Sequence, residues 1–247
     1  MDRNPETYWE KAGGLGYGAA MFASRAVEDH VNRRLWGIAV DIGRQLGLER
    51  TARVLDLGCG DGAFSNCVLA GEFAAVDGFD LSEAGIKRAE ANAPGPHVRF
   101  RHCDITRLDF SALPRYDGAF LIGILHHVKA ATPELIAALR RVTGRVVVLE
   151  PNGDHLLRRL LELTPSYRAA GEDSFGTRQL RMLFDGAGFR CAVWRRLNLF
   201  PNLTPHPVFR LLRPLEPAIE ALPGLRALCT VNMYGFEVEG RGRPARS

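Results

Sequence analysis

From Arg53 onward, short apolar runs alternate with stretches whose apolar residues recur every three or four positions. "RVLDLG" predicts a strand and "AFSNCVLAG" a helix. "AAVDGFDLS" and "SEAGIKRAEAN" repeat the pair, with Ser82 as the helix cap. "HVRFRHCDI" alternates as a strand does, and "YDGAFLIGIL" is a continuous apolar run, as a strand buried on both faces requires. "TPELIAALRRV" predicts a helix capped by Thr132 with Pro133 in its first turn, and "GRVVVLEPN" is a fifth strand. Strands that alternate with helices imply right-handed crossovers and a parallel sheet covered on both faces.

The flanks differ. Before the first strand, Val27, Val31, Leu35, Ile38, Ile42 and Leu46 fall on one helical face, with Ser24 to cap it and Gly47 to end it. "GGLGYGAAMF" precedes that helix and reads either as a cover over a site, which would put Tyr17 against a ligand, or as a loose N-terminal arm. After Glu150, "DHLLRRLLEL" is a helix with no strand close behind it. "TRQLRMLFDGAGF" is a helix with a glycine stop, "RCAVWRRL" a strand and "VNMYGFEVEG" the last strand. Six of the fourteen prolines fall between Asn198 and Cys229. Two late strands joined by such an insertion suggest a mixed sheet whose edge pairs antiparallel. The expected division is an N-terminal helical cap over 1–50 and a core over 51–247, with insertions at 151–176 and 198–229.

Composition removes several alternatives. Hydrophobic residues at 46% and charged residues at 24% are ordinary for a globular chain. No run reaches the roughly 18 apolar residues of a spanning helix. The charged start "MDRNPETYWEKAGG" lacks the apolar core of a signal peptide, so a cytoplasmic address is expected. The five cysteines include no C-x-x-C pair, so neither a disulfide framework nor a zinc site is expected, and no metal is assigned. The net charge of +4 is dispersed and no basic block interleaves with aromatics, so nucleic acid is not an expected partner.

The chemistry collects at strand ends. In such sheets ligands bind beyond the carboxyl edge, where strand order reverses. The first strand ends in Asp56 and the glycines Gly58, Gly60 and Gly62, the second in Asp80, and the third in Asp104. The fourth ends near Gly123, His126 and His127, and the fifth in Glu150. "GCGDGA" satisfies a form of the dinucleotide fingerprint, with an acid about 20 residues on at Asp80. Asp56 argues otherwise. A carboxylate two residues before the first glycine opposes a pyrophosphate and suits the ammonium and sulfonium of S-adenosylmethionine, which carries no phosphate.

On "VLDLGCGDGAF", "VDGFDLSEAGIKRA", "VRFRHCDITRLDF", "YDGAFLIGILHHV" and "VVVLEPN", in that order, the chain resembles the class I S-adenosylmethionine-dependent methyltransferases of small-molecule type. The resemblance covers residues 50 to 196 and extends to the final strand. It implies an α/β fold: a Rossmann-like three-layer sandwich with a seven-stranded, mostly parallel sheet and an antiparallel last strand, plus helical N-terminal and lid insertions. It also implies roles. Asp56 and the backbone of Gly58, Cys59 and Gly60 would hold the methionine moiety, flanked by Gly123. Asp80 would accept from both ribose hydroxyls. Leu81 would pack on adenine, and Asp104 would accept from its amino group with Ile105 alongside. RNA methylation is disfavoured, because no Asn-Pro-Pro-aromatic motif follows the fourth strand.

His126, His127 and Glu150 are the candidate groups for removing an acceptor's proton, with a structural role as the alternative for each. The acceptor is expected to be a small molecule, most simply methylated at oxygen: a natural product, a sugar or a lipid-linked compound. The 198–229 insertion, apolar and arginine-bearing, fits a lid, a peripheral membrane contact or plain packing over the sheet. An N- or C-methyltransferase of the same fold and an NAD-dependent oxidoreductase are the alternatives.

Overall fold

The computed structural model describes residues 21–155 and 174–238, and with them positions 10, 11, 16, 18 and 159. The expected helix "DHLLRRLLEL" and Tyr17 lie largely or wholly outside the described residues.

Helix α1 (Arg25–Gln45) starts where expected: the Ser24 side chain accepts from Val27 N at 3.4 Å. Gly47, at φ +89°, ends it in a conformation that only glycine adopts without strain. Strand β1 (Arg53–Leu57) leads through the glycine turn into a helix that is wound as a π turn over Ser65–Leu69 and continues as α2 (Ala70–Glu72). There follow β2 (Ala75–Asp80), α3 (Glu83–Ala91), β3 (Val98–His102), β4 (Gly118–Ile122), α4 (Thr132–Leu139) and β5 (Arg145–Pro151). After residue 173 come α5 (Thr177–Gly186), β6 (Phe189–Leu197), α6 (His206–Leu212), α7 (Glu216–Ala221) and β7 (Val231–Val238).

The strand order is β3-β2-β1-β4-β5-β7-β6. β1 to β5 pair in parallel; β7 runs antiparallel to both β5 and β6. The last strand is therefore not the edge. It inserts between β5 and β6, and β6 forms the rim. Alternation along β5 separates two cores: Val147 and Leu149 join α1, Leu69 and Ile86 on one face, while Val146 and Val148 join α4, Leu180 and Phe184 on the other. α1 thus forms part of the outer layer, with Val27, Val31, Leu35 and Ile42 all buried.

Thr132 is not the cap of α4. Ala131 holds that position, because the 3-10 stretch Leu125–Ala131 runs straight into the helix. The Thr132 hydroxyl instead donates to the carbonyls of Leu125 (3.3 Å) and Val128 (3.1 Å) and welds the two pieces together. The glycine stop of α5 is Gly188, at φ +80°, just past the capping residue Ala187.

The 198–229 insertion leaves and returns at one edge. Val231, the first residue of β7, pairs with Leu197, the last of β6, and with Pro151, the last of β5. All three lie at the carboxyl edge, where the site residues collect. Asn198, at φ +65°, closes the stem: its carbonyl accepts from Thr230 N at 2.7 Å, and its Nδ2 donates to Thr230 Oγ1 at 3.0 Å. The insertion is latched to α1 through Glu216, which is 2% exposed, meets His30 Nε2 at 2.7 Å and accepts from Leu199 N at 3.0 Å. Glu220 pairs with Arg34 beside it.

Candidate functional site

β1 places Leu55 and Leu57 in one core and delivers Asp56 to the crevice where β1 and β4 diverge. The chain then reverses through Gly58, Gly60 and Gly62, all at positive φ (76°, 58° and 74°). Close packing adds to the need for glycine. A Cβ on Gly58 would lie 2.4 Å from Ile124 Cγ1, and one on Gly62 would lie 2.6 Å from Ala89 Cβ. Gly58→Ala is expected to displace the Ile124 loop and to weaken cofactor binding by about a hundredfold, read by titration calorimetry; binding at wild-type strength would show that the turn tolerates a Cβ.

Four of the turn's N–H groups are spent inside the protein. Gly58 N and Cys59 N both donate to Phe79 O, at 2.8 and 3.1 Å. Gly60 N donates to Asp80 Oδ2 at 2.8 Å, and Gly62 N to Cys59 O at 3.0 Å. A phosphate would need those donors. What this turn offers is carbonyl and carboxylate oxygen.

The electrostatics agree. Asp56, 1% exposed, has its pKa raised to about 7 by burial; the Ser65 hydroxyl, donating at 2.6 Å, eases the penalty and the Asp80 charge adds to it. Burial also raises Asp80, against the stabilising amides of Ser82 (2.9 Å to Oδ1) and Gly60. Among the described residues no lysine or arginine pairs with either carboxylate. Two buried acids without a cation make a site that favours a positively charged ligand.

The other expected residues fall around this pair. Leu81 is 46% exposed, and its carbonyl meets His102 Nε2 at 2.8 Å. Asp104 lies two residues past β3, where Oδ1 accepts from Thr106 N (2.9 Å) and Thr106 Oγ1 (2.7 Å) and Oδ2 faces Arg107 at 3.4 Å. The carboxylate thus closes its own loop. Ile105 is buried beneath it. Gly123, at φ +69°, donates its N–H to Leu149 O at 2.7 Å and has open space where a Cβ would stand. Glu10, which no sequence pattern singles out, accepts from Ala84 N at 2.8 Å at the start of α3.

On the β4–β5 side, Glu150 is 1% exposed and organises the 3-10 turn after β4. It accepts from Leu125 N (2.8 Å), His126 N (3.3 Å) and His126 Nδ1 (2.7 Å). With Glu150 ionised, the last bond is donated by the Nδ1–H of His126. The His127 ring lies against His126 with centroids 3.9 Å apart. The structure therefore joins all three candidate proton-handling residues in one cluster.

Sequence reasoning missed the polar network beside it. Asn152 Oδ1 accepts from Asn232 Nδ2 and Asp154 N, both at 3.1 Å, and its Nδ2 donates to Cys229 O at 2.9 Å. Arg196 spans Asp154 (3.2 Å) and Thr177 (3.1 Å). A cavity of about 450 Å³, lined by Asp154, Gly176, Arg178, Gln179, Met182 and Leu183, opens next to this network. The asparagine of "LEPN" was the one local sign of it.

A family profile described as a methyltransferase domain matches residues 54–145. A search of curated protein sequences finds no match. The fold is similar to that of the (4+2)-cyclase SpnF, with a TM-score of 0.68 and 16% identity over 94% of this chain and 93% of that one. It is similar also to magnesium protoporphyrin IX methyltransferase from Synechocystis PCC 6803, solved with bound SAH, with a TM-score of 0.59 and 17% identity over 86% and 85%. An S-adenosylmethionine-dependent methyltransferase from Mesorhizobium loti gives 0.59 and 18% over 82% and 96%. The sheet order and the antiparallel β7 are those of the Rossmann-like class I methyltransferase fold. Residues 54–145 thus match a methyltransferase domain, and the sheet built around them has the class I methyltransferase fold.

Proposed function

We propose that this chain transfers a methyl group from S-adenosylmethionine to a small-molecule acceptor, most simply at oxygen. The observation that carries the reading is the pair of uncompensated buried carboxylates, Asp56 and Asp80, behind a turn whose amides are already engaged. That constellation suits a ligand with an ammonium and a sulfonium and no phosphate. When bound, S-adenosylmethionine supplies a methyl group already activated on its sulfonium.

The chain's own residues then have separable tasks. Asp56 and the carbonyl oxygens of Gly58, Cys59 and Gly60 face the methionine ammonium, and Gly123 leaves room for that chain. The Asp80 oxygens are oriented by the Ser82 and Gly60 amides and keep lone-pair capacity for the ribose hydroxyls. Leu81 covers adenine, and Asp104 with Ile105 borders its amino edge. Tyr17 belongs to the same proposed cofactor set. His126, oriented by Glu150 and backed by His127, takes the acceptor's proton as the new bond forms. Residues 1–50 serve as a cap, and the insertions at 151–176 and 198–229 enclose the acceptor.

The test is ligand preference followed by transfer. S-adenosylhomocysteine is expected to raise the melting temperature by several degrees and NAD to leave it unchanged. A shift with NAD alone would replace this reading with a dinucleotide-dependent oxidoreductase. Incubating candidate phenols, sugars and amphiphilic acceptors with S-adenosylmethionine, and reading the gain of one methyl by mass spectrometry, then identifies the acceptor atom.

A further inference from the structure

We propose that the surface of residues 203–228 seats on an anionic lipid bilayer and draws an amphiphilic acceptor into the site from it; the second half rests on the methyltransferase reading above. Seven of the ten exposed large apolar side chains among the described residues lie in this one segment. Leu211 is 75% exposed, Leu203 68%, Leu222 53% and Leu215 52%. They are not a core left unfinished, because the segment already buries a separate stripe. Along α6, the Arg213–Leu215 turn and α7, which follow one another without a gap, Phe209, Leu212 and Glu216 at spacings of three and four face the body of the protein. Phe209 packs on Phe200 and His30 with centroids 5.0 and 5.2 Å away. Val208, Leu211, Leu215 and Leu222 recur at spacings of three, four and seven on another face and remain in solvent.

Charge selects the occupant. The segment contains two acids, Glu216 and Glu220, and both are turned inward onto His30 and Arg34, with side chains 3% and 12% exposed. Its arginines, Arg210, Arg213 and Arg226, are all exposed. Arg226 donates to the carbonyls of Glu220 and Ala221, which leaves its charge uncancelled. Exposed leucines with arginines, and every carboxylate withdrawn, match a bilayer's acyl boundary and its anionic headgroups. No helix among the described residues is long and apolar enough to cross a membrane, so the contact is interfacial. The placement serves the site: both stems of the insertion stand at the carboxyl edge beside β5, and Asn152, two residues past Glu150, bonds Cys229 O.

The experiment is flotation of the full chain with vesicles of phosphatidylcholine, alone or with phosphatidylglycerol as a third of the lipid. Partition onto the anionic vesicles is expected to exceed that onto the neutral ones by about tenfold and to fall as salt is raised. The double variant Leu211→Glu/Leu215→Glu is expected to lose about tenfold in partition, with an unchanged melting temperature and unchanged S-adenosylhomocysteine affinity, since both side chains are already in water. Equal partition of the wild type and the double variant overturns the proposal. So does a wild-type dimer in solution that the double variant converts to monomer, which would make this face a protein interface. S-adenosylhomocysteine binding is read in the same samples, so failure at the membrane is distinguishable from failure of the methyltransferase reading.

Discussion

Asp56→Asn is expected to stabilise the ligand-free protein at pH 8 while weakening cofactor binding. The folded protein holds the Asp56 proton up to about pH 7, whereas an unfolded chain releases it near 3.8, the ordinary value for an aspartate. Between those values the folded state binds more protons, so stability falls as pH rises from about 4 to 7 and is level above that. A shift of about three units corresponds to roughly 4 kcal/mol as an upper figure. Asparagine has nearly the same shape, can still accept from Ser65 at its amide oxygen and carries no charge to desolvate. The variant's advantage is therefore full at pH 8 and shrinks toward pH 4. Its loss is the countercharge for the cofactor, and we expect at least about tenfold weaker S-adenosylmethionine binding. In the wild type, affinity should rise as pH rises through 7, with a proton released on binding. Thermal melts across pH and calorimetry in two buffers of different ionisation heat measure both. Undiminished affinity in Asp56→Asn would separate Asp56 from the ligand and leave it a burdened core residue.

Glu150→Gln is expected to reduce turnover by about a hundredfold with the cofactor dissociation constant unchanged. The glutamine can retain one acceptor for the Leu125 amide. Its NH2 group, presented to His126 Nδ1, forces the ring proton onto Nε2, the nitrogen that must accept one. The readout that distinguishes chemistry from scaffolding is the pH–rate profile, whose basic limb should shift or vanish while the melting temperature changes little. Glu150→Ala tests the scaffold itself. It strands two backbone amides and a buried imidazole, at a cost of about 3 kcal/mol. Wild-type turnover in Glu150→Gln would remove the dyad from proton transfer and confine Glu150 to holding the loop.

These two carboxylates were legible to different degrees. Asp56 stands two residues before the first glycine, so its charge conflict with a phosphate could be argued from eight consecutive residues, Asp56 to Ala63. Glu150 was visible as a polar residue at a strand end, but its partner was not. The backbone and ring of His126 lie 24 positions away, and only the pairing of β4 with β5 brings them into contact. The same holds for the glycine turn. Its sequence suited a dinucleotide or S-adenosylmethionine, and the deciding fact, that its amides are taken by Phe79 O and Asp80, is a contact across two strands.

By itself the sequence determined the alternation of strands and helices, the caps at Ser24 and Ser82, the glycine turn and the collection of acids and histidines at strand ends. Each of these is written in periodicity or local backbone chemistry over a few residues. Tertiary structure decided what depends on distant partners: β7 between β5 and β6, the Asn152–Asn232 bond across 80 residues, and Glu216 and Glu220 turned in against α1. A leucine or a glutamate in a proline-broken segment has the same letter whether it faces the core or the solvent. Which way it faces is fixed by the rest of the fold, through the area it can bury and the charge it can meet.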